Sequence, residues 1–558
     1  MPLRRPSALI DRILARWPSS SRRFQAFTLF IFALGALAIY FESATVYDHG
    51  SSVVRQSVEW LQLAMTGATE TDIAELPAAP PPVFTSDVER MCYYQRDLGL
   101  LDEIRTHKKV FCKSPSSSSS PTRRTEVTLV DLRPRGAWVR GVVFKHDLEL
   151  DFTGAKILRH IKSIAKDGGG HDPRFVYRAS IMSCGCEELE QHAHDVAQEA
   201  SPDAAALRLW DPQLANSPAS FDHTASVCGA SFTPAGAASA SPAPMITIAE
   251  KTILIARRDD HNPFFQVSNA LNAWLMMRAL GWKRDDVRVI HMDGGFESPV
   301  DELHKRLLSS SKFELLRGRE NLMGHKFKFT GEVMLPTYET WGPMMEHLND
   351  DEPCQRSQLI TEFRHEALQV MGVTSSDHKQ RGKIVVTVIT RRDYSGRRVQ
   401  RRWLNEDEVL DAMRLKYPTQ NGVPIVIQSI DFVSLSLQQQ MQIVLDSDVI
   451  IGMHGAGMVN VMWTRPETLV IEIFPKYRRR WGYRNICQFI GCEWYQYRGG
   501  KDTGKGDNSS DKTIPVESWL HFFGPLFTAF LEKIEPSGST RVASAVENPI
   551  DLPQRLRR

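Results

Sequence analysis

The 558-residue chain carries 68 basic against 66 acidic residues. Its composition is globular, and it is too long for one ordinary core, so two domains with appendages are expected. A net charge of +2 excludes the strongly basic surface that a nucleic-acid partner demands. The eight cysteines form no two CxxC knuckles. They are read as disulfides or free thiols rather than a zinc site, Cys184-Gly185-Cys186 included.

In chain order, the first predicted element is a membrane span. Ala26 to Phe41 is uncharged, and Phe24 and Gln25 extend it to about the minimum length that crosses a bilayer. Arg4, Arg5, Arg12, Arg16, Arg22 and Arg23 precede it, whereas Glu42 and Asp48 follow it. The positive-inside rule then puts residues 1–23 in the cytosol, makes 24–41 a signal anchor, and places the rest in a lumen. A cleaved signal peptide is the alternative, but no small-x-small site directly follows the apolar run. Residues 42–90, ending near a Pro/Ala-rich run from Leu76 to Pro82, read as a stem. The stretches 113–125 and 201–244 have the composition of a linker and an insertion.

A first series of elements follows: strand Thr252 to Ala256, helix Val267 to Leu280, and strand Val287 to Met292 running into Asp293-Gly294-Gly295. A second series holds strands Lys383 to Thr390, Pro424 to Ile430, Asp448 to Met453 and Leu469 to Phe474. Between them lie helices Glu406 to Lys416, with Asn405 as N-cap, and Leu437 to Leu445. Such alternation predicts an α/β fold with two doubly wound, Rossmann-like domains facing a cleft, over residues 91–380 and 381–534. The second ends in a helix from Val516 to Ile534, interrupted at Gly524-Pro525. A polar tail, 535–558, closes the chain.

The segment Asp448 to Pro475 reads strand, glycine turn, helix, strand, with His454, Gly455, Ala456 and Gly457 as the turn. Glycines at the carboxyl end of a parallel strand admit a ligand to the backbone, and the free N–H groups beyond them favour a pyrophosphate. Glu472, an acid within an apolar strand, is placed to accept from a ribose. After the strand ending at Thr390 come six arginines, Arg391, Arg392, Arg397, Arg398, Arg401 and Arg402. Those nearest the strand end are candidates for phosphate oxygens. Asp446-Ser447-Asp448 has the D-x-D form of some metal-binding sugar-nucleotide enzymes. It precedes its strand, at the wrong end for the crevice, and is read as a cap or turn. On the acceptor side, Asp259, Asp260 and His261 are general-base candidates, and Asp293 sits at a neighbouring strand end. Asn508-Ser509-Ser510 is an N-glycosylation sequon.

Three blocks, Thr252 to Gly295, Val386 to Val409 and Leu435 to Pro475, resemble glycosyltransferase family 61. The resemblance implies a GT-B fold and inverting transfer from a UDP-sugar without a metal cofactor. It also implies that Arg391 and Arg402 hold the diphosphate, that His454 to Gly457 and Asn460 wrap the nucleotide, and that Glu472 contacts ribose. Asn262 would lie on the acceptor side. The blocks look most like the branch that moves xylose from UDP-xylose, in β-1,2 linkage, onto the core mannose of an N-glycan in the Golgi or ER. UDP-GlcNAc or UDP-arabinose transfer to protein hydroxyls or polysaccharide, and a non-catalytic lumenal carbohydrate-binding protein, are the alternatives. One departure stands out: where the family has a histidine and a later acid after this asparagine, the chain has Phe265 and Asn269. Asp259 is therefore the preferred base, ahead of His261 and Asp260.

Overall fold

The structure, a computed structural model, describes residues 82–113, 125–146, 148–153, 156–157, 175–176, 182–183, 186, 188, 245–257, 262–293, 295, 297–345, 354–375, 381–393 and 399–534. The expected span at 24–41, the 201–244 stretch and the 535–558 tail lie outside them, as does most of the stem. Among the described residues no helix is long and apolar enough to cross a membrane. The chain divides into Met1–Val83 and Phe84–Arg558, and every element below belongs to the second unit.

Two helices open it, α1 (Asp87–Arg96) and α2 (Gly99–Thr106), so the folded head begins within the expected stem. The first sheet contains β1 (Lys108–Phe111), β2 (Glu126–Asp131), β3 (Arg140–Lys145), β4 (Lys251–Ile255), β5 (Val287–His291), β6 (Leu316–Arg317) and β7 (Glu332–Leu335). They are ordered β1-β2-β3-β7-β4-β5-β6. Strands β7, β4, β5 and β6 run parallel, but β1, β2 and β3 pair antiparallel with their neighbours. Helix α3 (Pro263–Leu280) covers one face of this sheet, with α4 (Asp301–Leu308) and α5 (Gln358–Val370) packed in the same core.

A four-stranded sheet covers the other face. Its Leu148, Leu150, Phe327 and Phe329 pack on Val142, Phe144, Leu254 and Ile290. The expectation of a doubly wound parallel sheet is therefore corrected for this half. Apolar residues on both faces of β3 to β5 require two covers, and here one is a sheet rather than helices.

The second half does wind doubly. Its strands are β8 (Ile384–Thr390), β9 (Thr419–Gln420), β10 (Val423–Asp431), β11 (Val449–Met453), β12 (Leu469–Ile473) and β13 (Glu493–Tyr497), ordered β9-β10-β8-β11-β12-β13. All neighbours are parallel except the β9–β10 pair. The β-branched runs IVVTVIT and LVIEI are buried throughout, as central parallel strands require. Helices α6 (Glu406–Lys416) and α9 (Val516–Ile534) cover one face. Helices α7 (Leu437–Leu445) and α8 (Gly482–Ile490) cover the other, with a 3-10 helix at Ala456–Trp463.

That second face shares one continuous core with α3. Trp274 of α3 meets Phe363 of α5 at 5.5 Å between centroids, and Phe363 meets Trp463 of the 3-10 helix at 6.2 Å. Three disulfides join Cys92 to Cys354, Cys112 to Cys186 and Cys487 to Cys492, and among the described residues every cysteine is paired.

Candidate functional site

Strands β11 and β12 lie side by side in register, Gly452 opposite Glu472, so the segments leaving their carboxyl ends share one edge of the sheet. His454 continues this pairing, its N–H donating to Ile473 O at 2.8 Å. Its ring stacks on Phe474 at 4.8 Å between centroids. Its Nδ1 lies 2.5 Å from Glu472 Oε1, and the second carboxylate oxygen accepts from Trp494 Nε1 at 3.0 Å. Glu472, expected at a ribose, is fully buried, with both oxygens committed within the protein.

Burial raises the Glu472 carboxyl to about 8, against the pull of Arg498 and Arg478. Burial also drives the His454 imidazole well below its ordinary value, reinforced by Arg401, Arg478, Arg391 and Arg480. The pair thus carries no net charge near neutral pH. The protonated carboxyl donates to Nδ1, which leaves His454 Nε2 as an N–H donor.

Positive charge comes from the surrounding arginines. Arg391 donates from Nε to Gln400 O at 3.1 Å, and its guanidinium lies against Gly455, where a Cβ would stand 1.9 Å from Nη1. Only a glycine permits that approach. Arg401 has a left-handed backbone, φ 60, which is uncommon for a side-chain-bearing residue. Its Nε donates to His454 O at 2.7 Å, and its Nη1 to the carbonyl and side-chain oxygens of Asn508, the sequon residue. Burial, and then Arg391, lowers Arg401 to about 10, and burial with Arg480 lowers Arg478 to about 10. Both remain cations at neutral pH.

Arg402, expected on the diphosphate, pairs instead with Asp511 at 2.9 Å and Asp393 at 3.4 Å. The neighbouring Arg401 takes the place beside His454. Sequence reasoning missed Arg478 and Arg480, although a second arginine run directly after the Glu472 strand was a usable signal. Asn460 is buried beneath the turn, its Nδ2 donating to Gly457 O at 3.0 Å and Gln440 Oε1 at 3.1 Å. It supports the glycine turn from below rather than wrapping a nucleotide. The element after the turn is 3-10 rather than α-helical.

On the acceptor side, Asp259, Asp260 and His261 lie outside the described residues, but both flanks are held. Arg257 is buried, bonded through Nη2 and Nε to Asp293 at 2.8 and 3.1 Å and through Nη1 to Asp301 at 2.9 Å. Asp293 is therefore the counter-ion of Arg257, which corrects the acceptor-side reading. Asn262 caps α3, accepting from Phe264 N at 3.2 Å. Asn269 donates to the buried Glu339 at 2.7 Å, and Phe265 is partly buried against the main core.

The two sites of interest meet through Tyr483 of α8. Its ring is 5.5 Å from Phe264, at the start of α3, and 5.6 Å from His454. The predicted acceptor flank and the glycine turn, remote in sequence, thus share one neighbourhood.

Two acidic groups invite a metal reading. His291, Asp301 and His304 cluster with their donor atoms within 4.8 Å, but Arg257 and Arg317 already occupy Asp301 at 2.9 and 3.2 Å. A dication added there would oppose two guanidiniums. Asp448 accepts from Arg381 at 2.7 Å and Val385 N at 2.8 Å, and also pairs with Arg465. Rather than the cap or turn expected of it, Asp448 is an ion-pair partner at the end of β11 remote from the glycine turn.

Residues 249–471 match the family model described as Glycosyltransferase 61. The chain is 23% identical over 281 residues to a beta-1,2-xylosyltransferase of Arabidopsis thaliana, covering 44% of this chain and 51% of that one. A beta-1,2-xylosyltransferase of Oryza sativa subsp. japonica is 24% identical over 44% of this chain and 49% of its own length. An EGF domain-specific O-linked N-acetylglucosamine transferase of Gallus gallus is 28% identical over 26% of this chain and 25% of its own. The chain spans about half the length of the plant relatives it matches.

Proposed function

We propose that the protein is an inverting GT-B glycosyltransferase of the secretory pathway, moving xylose from UDP-xylose in β-1,2 linkage to the core mannose of an N-glycan. The observation that carries the donor half is the cluster of Arg391, Arg401, Arg478 and Arg480 acting on a buried His454 at the carboxyl ends of two parallel strands. Such a cluster suits the diphosphate of a nucleotide sugar. It stabilises the departing UDP through charge-assisted hydrogen bonds, and His454 Nε2–H adds a neutral donor. A group from Asp259, Asp260 or His261 would take the acceptor hydroxyl proton as the sugar passes through an oxocarbenium-like state. No metal cofactor is required in this scheme, since guanidiniums take the charge.

The xylose assignment draws on the similarity to the two plant relatives. Transfer of N-acetylglucosamine is the second reading, favoured by the similarity to the Gallus gallus relative. A type II orientation in the Golgi or ER membrane is supported by the arginine-rich first 23 residues and by three disulfides, which form in an oxidising lumen.

The test is UDP release by the full-length, detergent-solubilised protein given UDP-xylose, UDP-GlcNAc or UDP-arabinose with an N-glycan acceptor. Release with UDP-xylose alone is expected. Release only with another donor overturns the xylose assignment, and UDP binding without any release favours a carbohydrate-binding protein.

A further inference from the structure

Tyr483 occupies the junction between the two halves, and nothing above uses its hydroxyl. The residue is 7% exposed, its ring set edge-on to Phe264 at 86° and tilted against His454 at 55°. That packing holds the ring at the junction. The hydroxyl has no hydrogen-bond partner among the described residues, although Arg391, Arg401 and Arg478 all act on it electrostatically. These are three of the four guanidiniums that act on His454.

The local chain is arranged for an anion. Tyr483 lies in the first turn of α8, which has no side-chain cap and no acid in that turn, and Arg478, Arg479 and Arg480 precede its N-cap, Trp481. Cations beside a helix N-terminus oppose the helix dipole. A bound anion reverses that conflict, and the Tyr483 hydroxyl, which bonds no group among the described residues, gains a charged acceptor from the same event. Burial raises the phenol far above neutral pH, so it remains a donor. A neutral donor adds a hydrogen bond where a further cation would add repulsion.

Resting on the nucleotide-sugar reading of the site, we propose that Tyr483 is a donor-site residue. Its O–H donates to a phosphate oxygen of the nucleoside diphosphate held among Arg391, Arg401 and Arg478. It bonds the same group as the UDP departs, while its ring abuts the helix that leads from the acceptor flank.

Tyr483→Phe removes one oxygen and retains the ring packing. In calorimetric titrations of the full-length protein, UDP affinity is expected to fall about tenfold in the variant, the size of one hydrogen bond to a charged group. Affinity for uridine, which lacks phosphates, should stay the same, and so should the melting temperature. Equal UDP affinity in the two proteins overturns the proposal. Parallel losses for UDP and uridine also overturn it, because they identify a packing role. If the unaltered protein binds no UDP, the donor-site reading itself fails, independently of the variant.

Discussion

At the scale of single residues, the site turns on which arginine faces the histidine. Arg401 and Arg402 are adjacent and chemically identical, yet the left-handed backbone at Arg401 sends its side chain to His454 O, while Arg402 turns to Asp511. Arg401→Ala is therefore expected to weaken UDP binding about 10- to 100-fold, by loss of charge-assisted bonds. Arg402→Ala should chiefly lower the unfolding midpoint, because it removes the guanidinium paired with a largely buried Asp511. Titration calorimetry and urea denaturation on both variants separate these outcomes, and the reverse pattern would restore Arg402 to the diphosphate.

The His454–Glu472 pair has a signature in pH. Glu472, raised to about 8, holds its proton more tightly folded than unfolded. Its stabilising contribution is full below the unfolded value, about 4.5, and is lost as pH rises to 8. His454, lowered from 6.5, has the opposite sign, and its contribution is complete once pH exceeds that value. The two oppose each other below pH 6.5, and above it Glu472 acts without that opposition. Stability should then fall by at most about 2 kcal/mol between pH 6.5 and 8. Glu472→Gln preserves the hydrogen-bond pattern and should flatten that slope in urea titrations. An unchanged slope would mean that Glu472 is already ionised.

Among the elements, the strands were the most legible. Runs such as IVVTVIT and LVIEI are mostly β-branched and are apolar apart from two Thr in the first and one Glu in the second, and such runs have few alternatives to a central parallel strand. Helix details were less so. Asn405 precedes α6 as expected, but its side chain bonds both the N–H and the carbonyl of Ile514 instead of capping the helix. The expected break at Gly524-Pro525 is also absent. Pro525 and His521 are both exposed, so the carbonyl that loses its helical partner faces water while Trp519, Phe523 and Phe527 stay buried.

At the opposite end of β11, Asp448 gathers Arg381, Arg465 and Val385 N. Asp448→Ala should cost about 3–5 kcal/mol, because it removes the carboxylate that pairs with two largely buried guanidiniums. EDTA should leave UDP-sugar turnover unchanged. Activity lost to EDTA and restored by Mn²⁺ would show that this aspartate, or another group, holds a metal.

For the whole molecule, the α3 helix and the second sheet's 3-10 helix share a core, so the two halves are packed rather than tethered. The Cys92–Cys354 disulfide, closing a separation of 262 residues, ties α1 to the start of α5 in the same region. Cys92→Ala should lower stability by about 2–5 kcal/mol in denaturation experiments. UDP affinity should be retained, since neither cysteine is among the contacts of His454 described above. A loss of affinity without loss of stability would place that region closer to the donor site than the fold indicates.

Local sequence alone determined the parallel strands, the glycine turn and the presence of an arginine-rich segment after a strand end. Each of these depends on residue type within a few positions: branching, a missing Cβ, or a guanidinium after a strand end. Tertiary structure alone decided which arginines converge, why Glu472 is a buried partner rather than a ribose ligand, and that Asp293 answers Arg257. It also decided that a second sheet covers the first and that Tyr483 bridges the glycine turn and the start of α3. Those outcomes follow from one backbone angle at Arg401, from burial, and from contacts between segments over 200 residues apart, which no local pattern encodes.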